Sequence, residues 1–193
     1  MSSLAGRYFA TAMFVLALAA CGSTRASVTL TPVGIAHVPA SALPADARSP
    51  GGSDALRIDF YASPELLTEE GYILDEARFC DGEDSGQIRN QTLAPFLGNA
   101  SIRHPFQRGK VAAERANGPN ASVRPVYSTY VHVVRAAYPG AAQIPAQPAY
   151  DLAREPRSIC LSLSLRDGYE FARTTNTLAF SAEQVAGALR APR

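Results

Sequence analysis

The sequence contains no tryptophan, only three histidines and three cysteines, and a single lysine, Lys110. Each shortage excludes something. Without tryptophan the usual platform for stacking sugars is missing, and so few histidines leave little material for acid–base or metal chemistry. Basic and acidic residues nearly balance, 18 Lys+Arg against 17 Asp+Glu, which removes the basic surface that nucleic-acid binding requires. The chain has no Gly-x-Ser-x-Gly, no His-Glu-x-x-His, no Cys-x-x-Cys and no phosphate-cradling glycine loop. Its neighbouring acids, Glu69-Glu70 and Asp75-Glu76, point to opposite faces of an extended backbone and make no acid–base pair. No catalytic residue, cofactor or metal is implied, and a non-catalytic protein is favoured over an enzyme.

What is present begins at the amino terminus. Arg7 is the only charge in residues 1–20, and residues 8–20 form an unbroken run of apolar, aromatic and small side chains. This has the form of a signal peptide. It falls well short of the roughly 20 apolar residues of a lasting bilayer-spanning helix. The run closes on Leu18-Ala19-Ala20-Cys21.

Those four residues resemble the lipobox of bacterial lipoprotein precursors. The resemblance implies that residues 1–20 are removed and that Cys21 is acylated on its thiol and on its new amino group. Two lipid signals already suffice for stable anchoring. Gly22 and Ser23 are not acidic, which in that family's sorting pattern implies the outer membrane, with the domain facing the periplasm. The partners expected are therefore the membrane, through the lipid, and an envelope protein, with no nucleic acid.

Once Cys21 is assigned to lipid, Cys80 and Cys160 remain as one pair in an oxidising compartment, so a disulfide between them is expected. Residues 21–54 hold Pro32, Pro39, Pro44, Pro50 and Gly51-Gly52 and read as a lipidated terminus and tether, with a coil span of roughly 30 Å. The alternation in Val28-Thr29-Leu30-Thr31 leaves a strand open within it. Residues 55–193 read as a single β-rich domain.

Within that domain, period-2 alternation marks strands over 55–62, 72–80 and 158–166, and a β-branched, aromatic run marks another over 126–137. Residues 64–70 suggest a helical turn, Asp167-Gly168 a hairpin turn, and Ser181-Ala182-Glu183-Gln184 a capping box that opens a helix over 182–189. Between 87 and 123 the pattern suggests loops with short helical or strand pieces. The expected fold is mostly β, an antiparallel sandwich-like domain with short peripheral helices; α+β is the alternative.

Three features offer candidate sites. Arg103, His104 and Arg108 gather with Lys110 around Phe106, as a partner or anion surface or as an ordinary cationic loop. Residues 81–86 cluster acids and glycines, but their spacing is not that of a calcium loop, and a solvated turn is expected. The proline-rich connection over 141–156 is long enough to be a partner surface. His132, inside the strongest strand, reads as structural. The expected function is a non-catalytic binding or assembly module on the outer membrane. The alternative, a lipid-anchored periplasmic hydrolase or small-ligand carrier, calls for a pocket that joins His104 or His132 to Arg103 or Arg108.

Overall fold

The structure is a computed structural model that describes residues 27–80, 87–88, 94–137, 149–167 and 171–191. The segment expected to be a signal peptide, Cys21, the acidic run 81–86, Gly168 and most of the 141–156 connection lie outside the described residues. The elements in chain order are β1 (Thr29–Val38), β2 (Ala55–Ser63), β3 (Tyr72–Phe79), β4 (Gln87–Ile88), β5 (Phe96–Leu97), β6 (Ala100–Ser101), α1 (Pro105–Ala116), β7 (Tyr127–His132), β8 (Val134–Arg135), β9 (Tyr150–Asp151), β10 (Ile159–Asp167), β11 (Phe171–Thr174), β12 (Leu178–Phe180) and α2 (Ala182–Arg190).

One sheet has the order β1-β2-β7-β5-β6 and a second the order β11-β10-β3-β4, with β12 also paired to β10. Every pairing is antiparallel. The sheets are joined by one core. Leu56, Ile58 and Phe60 of β2 meet Ile73, Ala77 and Phe79 of β3 and Ile159, Leu161, Leu163 and Leu165 of β10. The mostly β, sandwich-like class follows from this period of two, because one face of each strand supplies the apolar layer that the other sheet buries.

The 21–54 tether requires correction. β1 pairs with β2 from Thr29 opposite Ser63 to Val38 opposite Ala55, so residues 29–54 belong to the domain rather than to a tether before it. Pro39 and Pro44 each stand immediately before a short 3-10 turn, Ala40–Ala42 and Ala45–Ala47. There their fixed φ sets the bend. Leu43 and Ala47 are buried with Ala55, Phe96 and Tyr130 on the outer face of the first sheet. Proline content suggested a coil, yet four apolar side chains in the same stretch, Leu30, Ile35, Val38 and Leu43, had a surface to cover.

Smaller differences have similar causes. The expected helical turn over 64–70 is a single 3-10 turn, Leu66–Thr68, whose Leu66 is buried. The 126–137 strand divides at Val133, whose N–H donates to Asp54 O at 2.8 Å and whose carbonyl accepts from Leu152 N at 2.8 Å. Beyond it β8 leaves the sheet to pair with β9, and Leu152 is fully buried behind the ribbon. The capping box is formed as read: Gln184 N donates to Ser181 Oγ at 3.2 Å and Ser181 N to Gln184 Oε1 at 2.8 Å.

The edges are sealed by side chains. Leu30 N donates to Asn176 Oδ1 at 2.6 Å, and Asn176 Nδ2 donates to Leu30 O at 3.0 Å, so one amide stands in for a neighbouring strand residue and ties β1 to the second sheet. Thr175 does the same between β11 and β12, donating its N–H to Leu163 O at 3.0 Å while its Oγ1 accepts from Leu163 N at 2.9 Å.

Cys80 and Cys160 form the expected disulfide, with Cα atoms 5.2 Å apart. Cys160 lies on the face of β10 opposite its leucine row, across from Arg78, so the bridge clamps β3 to β10 from outside the core. Removing it by Cys80→Ala with Cys160→Ala frees a loop of 80 residues and should cost about 4 kcal/mol on the chain-entropy account. Urea unfolding of the oxidised and double-variant proteins measures this; equal midpoints would show that the bridge contributes nothing.

Candidate functional site

The strands run between two poles. At the entry pole β1 starts, β2 ends and residues 64–71 turn into β3; at the far pole β1 ends, β2 begins and β7 ends. A concavity of about 790 Å³ opens at the far pole, with His37, Asp54, His132, Val134, Arg135 and Leu189 among its lining residues.

His37 is placed by β1 opposite Leu56, and its Nε2 lies 3.0 Å from Asp54 Oδ2. The other carboxylate oxygen of Asp54 accepts from Ala40 N at 2.9 Å. The carboxylate is thus held from two sides, and it holds the imidazole in turn. Gly52, at φ 65°, makes the turn that brings Asp54 here, a conformation open to glycine at no steric cost. Ser53 Oγ donates to Asp54 O at 2.9 Å and accepts from Val134 N at 3.2 Å, and Ser49 Oγ accepts from Ser53 N at 3.2 Å. Both hydroxyls are engaged by the backbone that shapes the rim.

His132 is different. It is 5% exposed, and neither ring nitrogen meets hydrogen-bond geometry to a neighbour. Burial lowers its pKa below the ordinary 6.5, and the Arg135 guanidinium pushes the same way; the nearby Ser53 backbone opposes them slightly. A neutral imidazole in the wall of a concavity offers one donor and one acceptor to a neutral polar group such as an amide or hydroxyl. On the second strand of the ribbon, burial raises the Tyr150 phenol to about 12, with Arg135 opposing, so Tyr150 keeps its proton at any physiological pH. Among the described residues no group of three His, Cys, Asp or Glu side chains could hold a metal ion.

The residues singled out from the sequence lie elsewhere. Arg103, His104 and Arg108 come together at the start of α1, at the entry pole, and none lines the concavity. The anion-surface reading fails for Arg108, which is 1% exposed. Its guanidinium donates to the carbonyls of Glu69, Gly71, Ile102 and Arg103. That fork fastens the helix to the turn before β3. Arg103 is half-buried and its carbonyl accepts from Ile73 N at 3.1 Å, while the exposed His104 meets Tyr72 edge-on with ring centroids 5.1 Å apart. Of the pocket anticipated for a hydrolase or carrier, only His132 is found in a concavity.

Sequence reading missed His37 and Asp54, which are 17 residues apart in the stretch taken for a tether. The available signal was alternation. Once residues 29–38 are read as a strand, Ile35 and His37 fall on one face.

Two outcomes test this geometry. Arg108→Ala should lose about 3 kcal/mol in urea unfolding, because it strands several buried carbonyls. Arg108→Lys should recover less than half, since one ammonium cannot reproduce the planar fork. For His132, the unfolded chain takes up the proton first as pH falls, so the stability present at neutral pH is lost progressively below about pH 6.5. Ring-proton NMR should give a midpoint below 6.5 in the folded protein, and His132→Gln should show a smaller stability difference between about pH 7.5 and about pH 5.5 than the wild type.

Compared with known proteins, the chain matches no family model, no curated protein and no solved structure.

Proposed function

We propose that this chain is a non-catalytic envelope lipoprotein, anchored to the outer membrane by lipid on Cys21, whose β domain holds a binding surface toward the periplasm for an envelope protein partner. The direction of β1 carries the reading. Cys21 precedes the start of β1 by so few residues that even a fully extended chain places the entry pole within about 30 Å of the acylated residue. From there β1 runs to His37 and Val38 at the concavity, and its ten residues rise about 30 Å with a bulge between Pro32 and Gly34. The lipid would hold one pole and the concavity would open at the other.

Binding rather than catalysis is supported by how the lining groups are used. Asp54, Ser49 and Ser53 orient the backbone and His37, and Cys80 and Cys160 are joined to each other. A second reading, a lipid-anchored carrier of small ligands, is favoured by His132 alone, whose buried ring nitrogens have no close hydrogen-bond partner beyond the Ser53 backbone. Among the described residues no helix is long and apolar enough to cross a membrane.

Expression in a bacterial host, followed by membrane flotation and mass spectrometry of the amino-terminal peptide, tests the anchor. The wild type should float and carry acyl chains on Cys21, and Cys21→Ser should do neither. A photo-crosslinking residue at Val134, on the rim, should capture a defined envelope protein in living cells. Unmodified wild-type protein in the soluble fraction would overturn the anchor, and no adduct at Val134 would overturn the partner surface.

A further inference from the structure

The entry pole carries an aromatic side chain with no structural task. Phe106, in the first turn of α1, is 86% exposed, while the helix is fastened from its other side by the buried Arg108. Lys110, one turn on along the same face, is exposed and lies 4.0 Å from Glu114. Tyr72, partly exposed, stands at the same end of the helix, and Val123, also exposed, at its other end. Tyr72 packs on His104, and the Val123 carbonyl accepts from the Arg115 guanidinium.

Two placements bring this surface to the membrane side. β2 ends at Ser63 opposite Thr29, so the start of β1 and the turn that leads to β3 share one pole. Arg108 ties α1 to Glu69 and Gly71 in that turn. The helix that exposes Phe106 therefore sits at the pole where the chain arrives from Cys21.

We infer that Phe106 is a second membrane contact, seated in the headgroup and upper acyl region of the lipid surface to which Cys21 is attached. This rests on the lipid-anchor reading above. A lone phenylalanine binds a bilayer weakly, but a tether of a few residues holds it at high effective concentration beside the surface. The Lys110 stem can lie along the interface with its ammonium in water. Lys110 faces Glu114 across 4.0 Å, so that pair brings no net charge to the surface, and the contact rests on burial of the ring rather than on anionic lipid. The contact fixes the tilt of the domain and points the far-pole concavity away from the bilayer.

The absence of tryptophan provides the test. Lipidated full-length protein carrying Phe106→Trp is reconstituted into phosphatidylcholine vesicles with and without dibrominated acyl chains, and Val134→Trp serves as the far-pole control. The expected result is blue-shifted emission at position 106 with loss of most of its intensity to brominated lipid, and no quenching at position 134. Acylated protein that floats with the vesicles but leaves position 106 unshifted and unquenched overturns the contact and leaves the anchor standing. Protein that lacks acyl chains on Cys21 overturns both.

Discussion

The facing apolar rows of β2 and β10 are the constraint on which the remaining structure depends. Leu56, Ile58 and Phe60 on one strand and Ile159, Leu161, Leu163 and Leu165 on the other are all fully or almost fully buried, and each row occupies every second position. A shift of register by one residue in either strand would turn its row to the outer face. The outer faces are differently furnished: Arg57 and Asp59 form an ion pair there at 3.1 Å, and Ser128 Oγ lies 2.6 Å from Asp59 Oδ1. Register, sheet pairing and the position of both poles follow from those two rows.

This is also why part of the fold was legible in the sequence. A strand with one apolar face announces itself by alternation, and β2, β3 and β10 were found within a residue or two of their observed bounds. β1 was left open because its period is interrupted: Pro32 and Gly34 flank a bulge at which the pairing skips Val33. The helix α1, expected only as one of the short helical or strand pieces over 87–123, was not placed for a different reason. Its apolar stripe is thin, since Phe106 faces solvent, Val111 is only partly buried against the core, and the one fully buried side chain is Arg108. Patterns of hydrophobicity cannot report an element held by a guanidinium on carbonyls. The concavity was illegible for the same kind of reason, because His37, Asp54 and His132 come from three segments whose meeting depends on the pairing of β1, β2 and β7.

A recurring device links these misses. Arg108, Asp54, Asn176 and Thr175 are polar residues whose side chains complete backbone hydrogen bonding where the sheets or turns leave it open. Such groups are costly to bury unless satisfied, so each marks a place where geometry is tightly specified. They cluster at the ends and edges of the sandwich, while the middle is held by aliphatic packing. The two poles consequently differ in character. The entry pole is braced by a guanidinium on carbonyls, and the far pole by the Asp54 carboxylate on His37 and the Ala40 N–H.

The amide of Asn176 has a consequence for the order of folding. It closes the edge of β1 from 146 residues further along the chain, whereas β1 and β2 are separated only by residues 39–54 and can pair as soon as both have been synthesised. Chains emerge amino terminus first, so for most of its synthesis the domain has its first two strands paired but one flank unsealed. An unsealed edge is a template for foreign strands. The interval between making β2 and making residue 176 is then the period in which this protein is most open to mispairing, and a chain truncated before that asparagine would remain in that state permanently.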